Sequence, residues 1–456
     1  MTIGKSKIIA ISVFLISSLA FFAGFLFNAW NVLENDKFLD PQAESLLVGR
    51  LVKSRTDGIF SAAGLCGRCN DNPKDSAGLQ KNTAGFDYQY QAFENEIPCR
   101  KFSPYLSQIG FHAVIYSLID LASPFSSPVN LKLLRAFKSG TLAAMMGLIV
   151  LWFFLEFGLL AAIFVFLGVL LTPWFTYLGR DLWFCVWTNF LPLMAALFLL
   201  RHEYNRKKPS EFLILLYVNL AILANFVING YEWVSTTLIM ATVPFFYYWR
   251  KGEWPFKKLA RRMLWLIAGS LASLLITFTI LVYQISLVKG TFSDGIDWII
   301  FSFLKRTHGS ADILPEVYAK QVDHSLTDVF LRYFSGPAFR FPEFMTRNLP
   351  WYLDQIFFAE LVAAFILATF LAVYRKNLLR LTDASRKILV DLSVATWISI
   401  LAPFSWYVIF KGHAWSHYHI NYITWFMPFC LFGLALAGAT IKSLLEKRVK
   451  KGDFVT

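Results

Sequence analysis

Two acids set four residues apart, Asp40 and Glu44, follow closely on an apolar segment near the N-terminus and precede Arg50. Acids at that spacing share one face of a helix. A carboxylate so placed can take the proton of an attacking hydroxyl, help worth roughly 100-fold to 10,000-fold. Far along the chain, Lys411, His413, His417 and His419 crowd into one short segment, and such groups suit a phosphate whose leaving oxygen gathers charge. His413 and His417 would share a helical face and so fit a metal pair, although zinc wants a third ligand and His419 lies off that face. Arg180, beside Asp181 and Trp183, is a further phosphate candidate. Plainer readings stand beside these: Asp40 as a helix N-cap, Glu44 as a solvated face, Arg50 as its surface partner, the histidines as interfacial packing.

The elements that must hold these residues are membrane helices. Of 456 residues, 56% are hydrophobic, 17% aromatic and only 16% charged, against about 25% charged in a soluble domain. An ordinary soluble enzyme, a disordered chain, a collagen and a small disulfide scaffold are thereby excluded. Ten apolar segments approach the length of a membrane-spanning helix: residues 8–30, 141–155, 159–178, 185–200, 212–227, 233–248, 263–287, 356–373, 388–409 and 420–441. The first is too long for a signal-peptide core and lacks a cleavage site, which favours an uncleaved anchor.

Alternate connections are rich in Lys and Arg: Lys5 and Lys7, Arg201 to Lys208, Arg250 to Arg262, Arg375 to Lys387, and Lys442 to Lys451 carry about half of the 43 basic residues. Basic residues resist crossing the membrane during insertion, so both termini are expected in the cytoplasm. The net charge of +13 is then largely an orientation signal, not a nucleic-acid surface. Two large outer loops result, residues 31–140 and 288–355, with a basic cytoplasmic tail at 442–456.

In the first outer loop, Asp40 and Pro41 start a helix that stops near Thr56-Asp57-Gly58. Ala43, Leu46, Leu47 and Leu51 give it one apolar stripe, so it should lie on the membrane surface. A second amphipathic helix is expected from Ser103, with Leu106, Ile109, Ala113, Val114 and Leu118 on one face. Between them Gly64, Gly67, Asn70, Asn72, Pro73 and Gly85 suggest irregular chain. Phe86 to Tyr90 supply aromatics for a sugar ring or for an interfacial belt. Cys66 and Cys69 have C-x2-C spacing without a second ligand pair, so one disulfide from Cys99 to either is expected. Gly309, Pro315, Gly336 and Pro337 suggest a lid in the second loop. Glu360 and Asp391, near span ends, are read as paired or snorkelling.

An apolar first segment, acids on a short helix opening a long outer loop, a second horizontal helix, about ten spans and a folded late loop together resemble the C-type glycosyltransferase superfamily. Protein mannosyltransferases and lipid A aminoarabinose transferases belong to it. The resemblance implies an all-α polytopic membrane fold and a polyprenyl-phosphate-linked sugar donor. It also implies a carboxylate base in the first outer loop, at Glu44 or Asp40, with Asp36 as a substitute. The family's two adjacent acids are here separated by Pro41, Gln42 and Ala43. Arg50, Tyr105, Gln108, Arg180, Lys411, His413, His417 and His419 are the expected substrate and phosphate contacts. The acceptor would be an envelope glycan or lipid at the outer face of a bacterial inner membrane. No cofactor is required, and a divalent metal stays open. Two rivals remain: a glycan polymerase or ligase using a diphosphate-linked donor, which would rest on Arg180 and the histidines, and a lipid-linked-glycan flippase. Flippases and other transporters usually carry internal repeats and broken midplane helices, and no repeat is seen.

Overall fold

The computed structural model describes residues 3–34, 40–70, 83–308, 314–342, 354–374 and 382–452. Asp36, Asn72, Pro73 and Gly309, and most of the basic segment from Arg375, lie outside them. The chain is an all-α membrane protein. Five helices are long and apolar enough to cross a membrane, or up to seven if each of two bent pairs is one span.

Helix α1 (Ile3–Phe27) packs along α5 (Ser127–Phe157). A chain of α6 (Leu159–Leu171), α7 (Pro173–Arg180), α8 (Val186–Arg206), α9 (Glu211–Asn229), α10 (Val234–Lys251) and α11 (Phe256–Lys289) follows. Between α6 and α7 the axis turns by 61°, where Pro173 has no amide to continue the ladder. The C-terminal part is built from α15 (Phe358–Tyr374), α16 (Asp383–Ser399), α17 (Leu401–Ile409) and α20 (Phe429–Gly452). Helix α20 packs on α6, α15 and α16. The ten apolar segments all fall on helices, although only some pass as spans by length and hydropathy.

The described residues between α1 and α5 form a folded cap. Helix α2 (Pro41–Asp57) begins where the Asp40 carboxylate accepts from the amides of Gln42 and Ala43, and it ends at Gly58, with φ +87°. Strands β1 (Gly67–Cys69) and β2 (Phe102–Pro104) pair antiparallel, and the Cys69–Cys99 disulfide staples them while Cys66 stays a buried thiol. Helix α3 (Thr83–Glu94) covers α2 and contains Phe86 to Tyr90. Helix α4 (Phe111–Ala122) is tied to α2 by Arg55, which grips Asp120 with two bonds of 2.7 Å.

Three expectations are corrected. The second amphipathic helix starts at Phe111, not Ser103, because Ser103 is in β2 and Gly110 holds φ +71°. Leu106 and Ile109 instead fill a small apolar cluster with Leu65, Leu281 and Ile285. Gly67 lies in β1 and Gly85 in α3, so the chain expected to be irregular is partly ordered there. The helix that carries the second apolar segment begins at Ser127, well before Thr141, and holds Arg135 and Lys138 buried along it.

The segment between α11 and α15 is also partly folded. It contains α12 (Phe292–Leu304), α13 (Glu316–Val322) and α14 (Leu326–Phe334), followed by the hairpin-like pair β3 (Pro337–Arg340) and β4 (Gln355–Phe357). Two short helices, α18 (Lys411–Ser416) and α19 (Tyr418–Asn421), carry the histidines between α17 and the α20 region. Glu360 accepts from the Phe357 amide at 2.9 Å, and Asp391 pairs with Arg250 at 3.2 Å, as expected of acids at span ends.

Candidate functional site

Two cavities meet on one side of the cap. The larger, of about 720 Å³, is lined by aliphatic and aromatic side chains of α10, α11, α12 and α17. Its wall residues Leu275, Phe303 and Ile409 are 67%, 53% and 42% exposed, so it communicates with the space that membrane hydrocarbon would fill. The smaller, of about 400 Å³, is polar: Asp40, Arg68, Glu232, Lys305, Arg306, His413, His417 and His419 face into it. Tyr105, Trp183, Glu232 and Arg306 line both. A ligand with an apolar tail and an anionic head would find each half in its own solvent.

The positive side of the polar cavity is assembled from distant elements. At the end of α12, the Arg306 guanidinium donates to Ser302 O at 3.2 Å and to the Tyr105 hydroxyl at 3.1 Å. Burial and the neighbouring Arg306 pull Lys305 down to about 8. Arg68, from β1, is held by Ser45 Oγ at 2.9 Å and Gln42 O at 2.6 Å and lies over the Phe86 ring. Trp183 is positioned by its amide's 2.7 Å bond to Asp181 Oδ1 and stands edge-on to Tyr105.

The histidines are placed with equal definition. The His413 amide donates to Arg306 O at 3.0 Å, which docks α18 on the end of α12. Asn421 Oδ1 accepts from the indoles of Trp233 at 2.7 Å and Trp406 at 3.1 Å, so its amide nitrogen is turned to His413 Nδ1 at 3.2 Å. His413 therefore keeps its proton on Nε2, which lies 3.5 Å from Glu232 Oε1. Burial and the neighbouring His417 hold His413 well below the usual imidazole range, and burial with His419 lowers His417 to about 4. Both rings are neutral at pH 7. His419 Nε2 lies 3.9 Å from Asp40 Oδ2.

Asp40 and Glu44 do not share this space. Asp40 caps α2 and faces the polar cavity. Glu44, one turn further along α2, is wholly buried and lines neither cavity. Arg135 grips it with both nitrogens, Nε at 3.0 Å from Oε1; the Tyr90 hydroxyl donates at 2.8 Å and the Leu182 amide at 3.3 Å. Burial and Glu44 raise the Tyr90 hydroxyl, which keeps it a donor.

Of the other expected contacts, Tyr105 lines both cavities, Gln108 the apolar one, and His413, His417 and His419 the polar one. Arg50 is completely buried and spends its guanidinium on the carbonyls of Gly58, Ile59 and Ser61, closing the end of α2. It is a structural residue, neither a surface partner of Glu44 nor a phosphate contact. Arg180 lies at the end of α7, among the charges of Glu44 and Arg135, and Lys411 is outside both cavities. Among the described residues no three His, Cys, Asp or Glu converge as metal ligands.

The expected set lacks Arg68, Trp183, Glu232, Lys305 and Arg306. Glu232 had a signal, as the lone acid in a short outer turn between two apolar segments. Arg306 had none beyond its place in a polar loop. Comparisons with protein-family models, with curated proteins and with solved structures return no match for this chain.

Proposed function

We propose that this protein is a membrane glycosyltransferase of the C-type kind, moving a sugar from a polyprenyl-phosphate donor to an envelope glycan or lipid acceptor. In this reading ten helices span a bacterial inner membrane, both termini are cytoplasmic, and the site faces outward. The observation that carries the reading is the junction of the two cavities. A lipid-open apolar groove running into a basic, polar head cavity matches a prenyl tail joined to a sugar phosphate, and a soluble substrate would have no use for the groove.

Asp40 is the base of choice, since Glu44 has no free oxygen to offer. The acceptor oxygen loses its proton to Asp40 as it bonds the anomeric carbon, and the carbon–oxygen bond to phosphate breaks with its electron pair on the phosphate. Arg306, Lys305 and Arg68 offset the charge that gathers there. The three neutral imidazoles supply hydrogen bonds without adding charge. No metal enters this scheme.

The test is to incubate the purified protein with a panel of polyprenyl-phosphate sugars and acceptors and to measure released polyprenyl phosphate. Release with one donor, lost in Asp40→Asn, is the expected result. Transfer only from diphosphate-linked donors, with Asp40 dispensable, would move the reading to a polymerase or ligase. Lipid flipping in vesicles without product would sink the enzyme reading.

A further inference from the structure

The side chain at the seam of the two cavities is a carboxyl group, which is an odd neighbour for a phosphate. Glu232 lies in the turn between α9 and α10, held by Gly230, whose φ is +70° and whose Cα faces Gln108 with no room for a side chain. Its Oε1 is buried without a hydrogen-bond partner among the described residues, 3.5 Å from the fixed Nε2–H of His413. Its side chain is 17% exposed, and that exposure is into the cavities it lines. An ionised carboxylate there would repel the donor phosphate; a protonated one would offer it a hydrogen.

We infer that Glu232 is a second catalytic carboxylate, which passes its proton to the phosphate oxygen as that oxygen leaves the sugar. This rests on the transfer reaction proposed above. His413 is its positioning residue: its Nε2 lies 3.5 Å from Oε1 without hydrogen-bonding it in this state, and the carboxyl carries its proton toward the seam. The balance closes. Asp40 gains the acceptor's proton, Glu232 gives one up, and the polyprenyl phosphate departs as a monoanion, not a dianion that the apolar seam would solvate poorly. Both carboxyls return to their starting states through the water-accessible polar cavity.

The surroundings agree with a carboxyl that titrates in the working range. Burial raises Glu232 to about 7 although the Arg306 cation opposes the shift. The groups that face it are His413 from α18, Arg306 and Lys305 from the end of α12, and Tyr105 from the cap; Arg68 and Asp40 stand across the polar cavity. His413 is neutral, so the cations alone favour the ionised form and desolvation outweighs them. Because the acid must be protonated, transfer should fall as pH rises through about 7.

Two measurements test this. The first is the pH profile of transfer for wild type and Glu232→Gln. Wild type should show an alkaline limb near 7, and the Gln variant should lack it, keeping only the later fall near 8 as Lys305 loses its charge, while its maximal rate drops roughly 100-fold to 10,000-fold. A limb near 7 that survives unchanged in Glu232→Gln overturns the proposal. The second needs no turnover: infrared difference spectra of wild type against Glu232→Gln, titrated with polyprenyl monophosphate in micelles. A protonated-carboxyl band, absent from the variant and lost when the monophosphate binds, is expected. No such band in wild type, or one that ignores the phosphate, overturns the proposal. If wild type transfers from no donor, the glycosyltransferase reading fails, and the infrared result still decides whether Glu232 trades its proton with a bound lipid phosphate.

Discussion

Asp40 and Glu44 are one turn apart on the same helix, yet they belong to two different regions. Glu44 sits in a dry region between α2, α3, α5 and the α7–α8 connection, where every oxygen is bonded and Arg135 neutralises it. Asp40 opens on a wet region with His419 nearby and three cations across a cavity. The first region is organised so that nothing moves; the second keeps polar atoms unspent. A charged residue in a membrane protein is therefore not a functional site by type alone, and the count of its remaining hydrogen-bond capacity separates the two cases.

The contrast is broken most sharply by exchanging the readouts. Asp40→Asn should lower transfer by roughly 100-fold to 10,000-fold, the value of a general base. Its thermal unfolding midpoint should hardly move, because Asn caps a helix as well as Asp does. Glu44→Ala should do the reverse in cause: about 3–5 kcal/mol of stability is lost when a buried partner is removed and Arg135 is left uncompensated. Scanning fluorimetry in detergent reads both. A stable, inactive Glu44→Ala would return the base to Glu44, and an unstable Asp40→Asn would make Asp40 a structural cap.

A smaller effect tests whether the cap is the scaffold for the wet region. Removing the Cys69–Cys99 bridge in a Cys69→Ser, Cys99→Ser variant frees a 30-residue separation, and the expected cost is about 2–4 kcal/mol. Gel-shift assays with a maleimide should find Cys66 unreactive in the native protein, since burial raises its thiol to about 12. A rapidly labelled Cys66 would show that the cap opens.

Much of this was legible in the chain, for physical reasons that can be named. The ten apolar segments fall on helices because lipid leaves the backbone few alternatives. The start of α2 follows from Asp40 and Pro41, its stop from Gly58. The late histidines and Asp40 line one cavity. What stayed hidden was partnership over distance. Glu44 and Arg135 are 91 residues apart, and Lys132, Arg135 and Lys138 made the outer end of α5 read as loop. Arg50 looked like a surface partner because helix spacing puts it near Glu44, whereas the carbonyls of Gly58, Ile59 and Ser61 claim it. β1 and β2, at three residues each, are too short to announce themselves, and their pairing displaced the start of α4 from Ser103 to Phe111.

The smallest expected effect concerns the apolar cavity, which distinguishes tail recognition from head chemistry. Leu238 on α10 and Leu281 on α11 line it and take no part in the polar cavity. Replacing Leu238 with Trp should occupy part of the groove and leave Asp40, Glu232 and Arg306 untouched. Each buried methylene of a prenyl tail contributes about 0.8 kcal/mol, so displacing a few should raise KM for a long-chain donor by roughly 10-fold to 100-fold, while kcat stays near the wild-type value. A donor whose chain is too short to reach Leu238 should be unaffected. Equal losses for both chain lengths would mean that the substitution acts on the seam, and no loss for either would mean that the tail lies elsewhere in the membrane and that this groove holds only lipid.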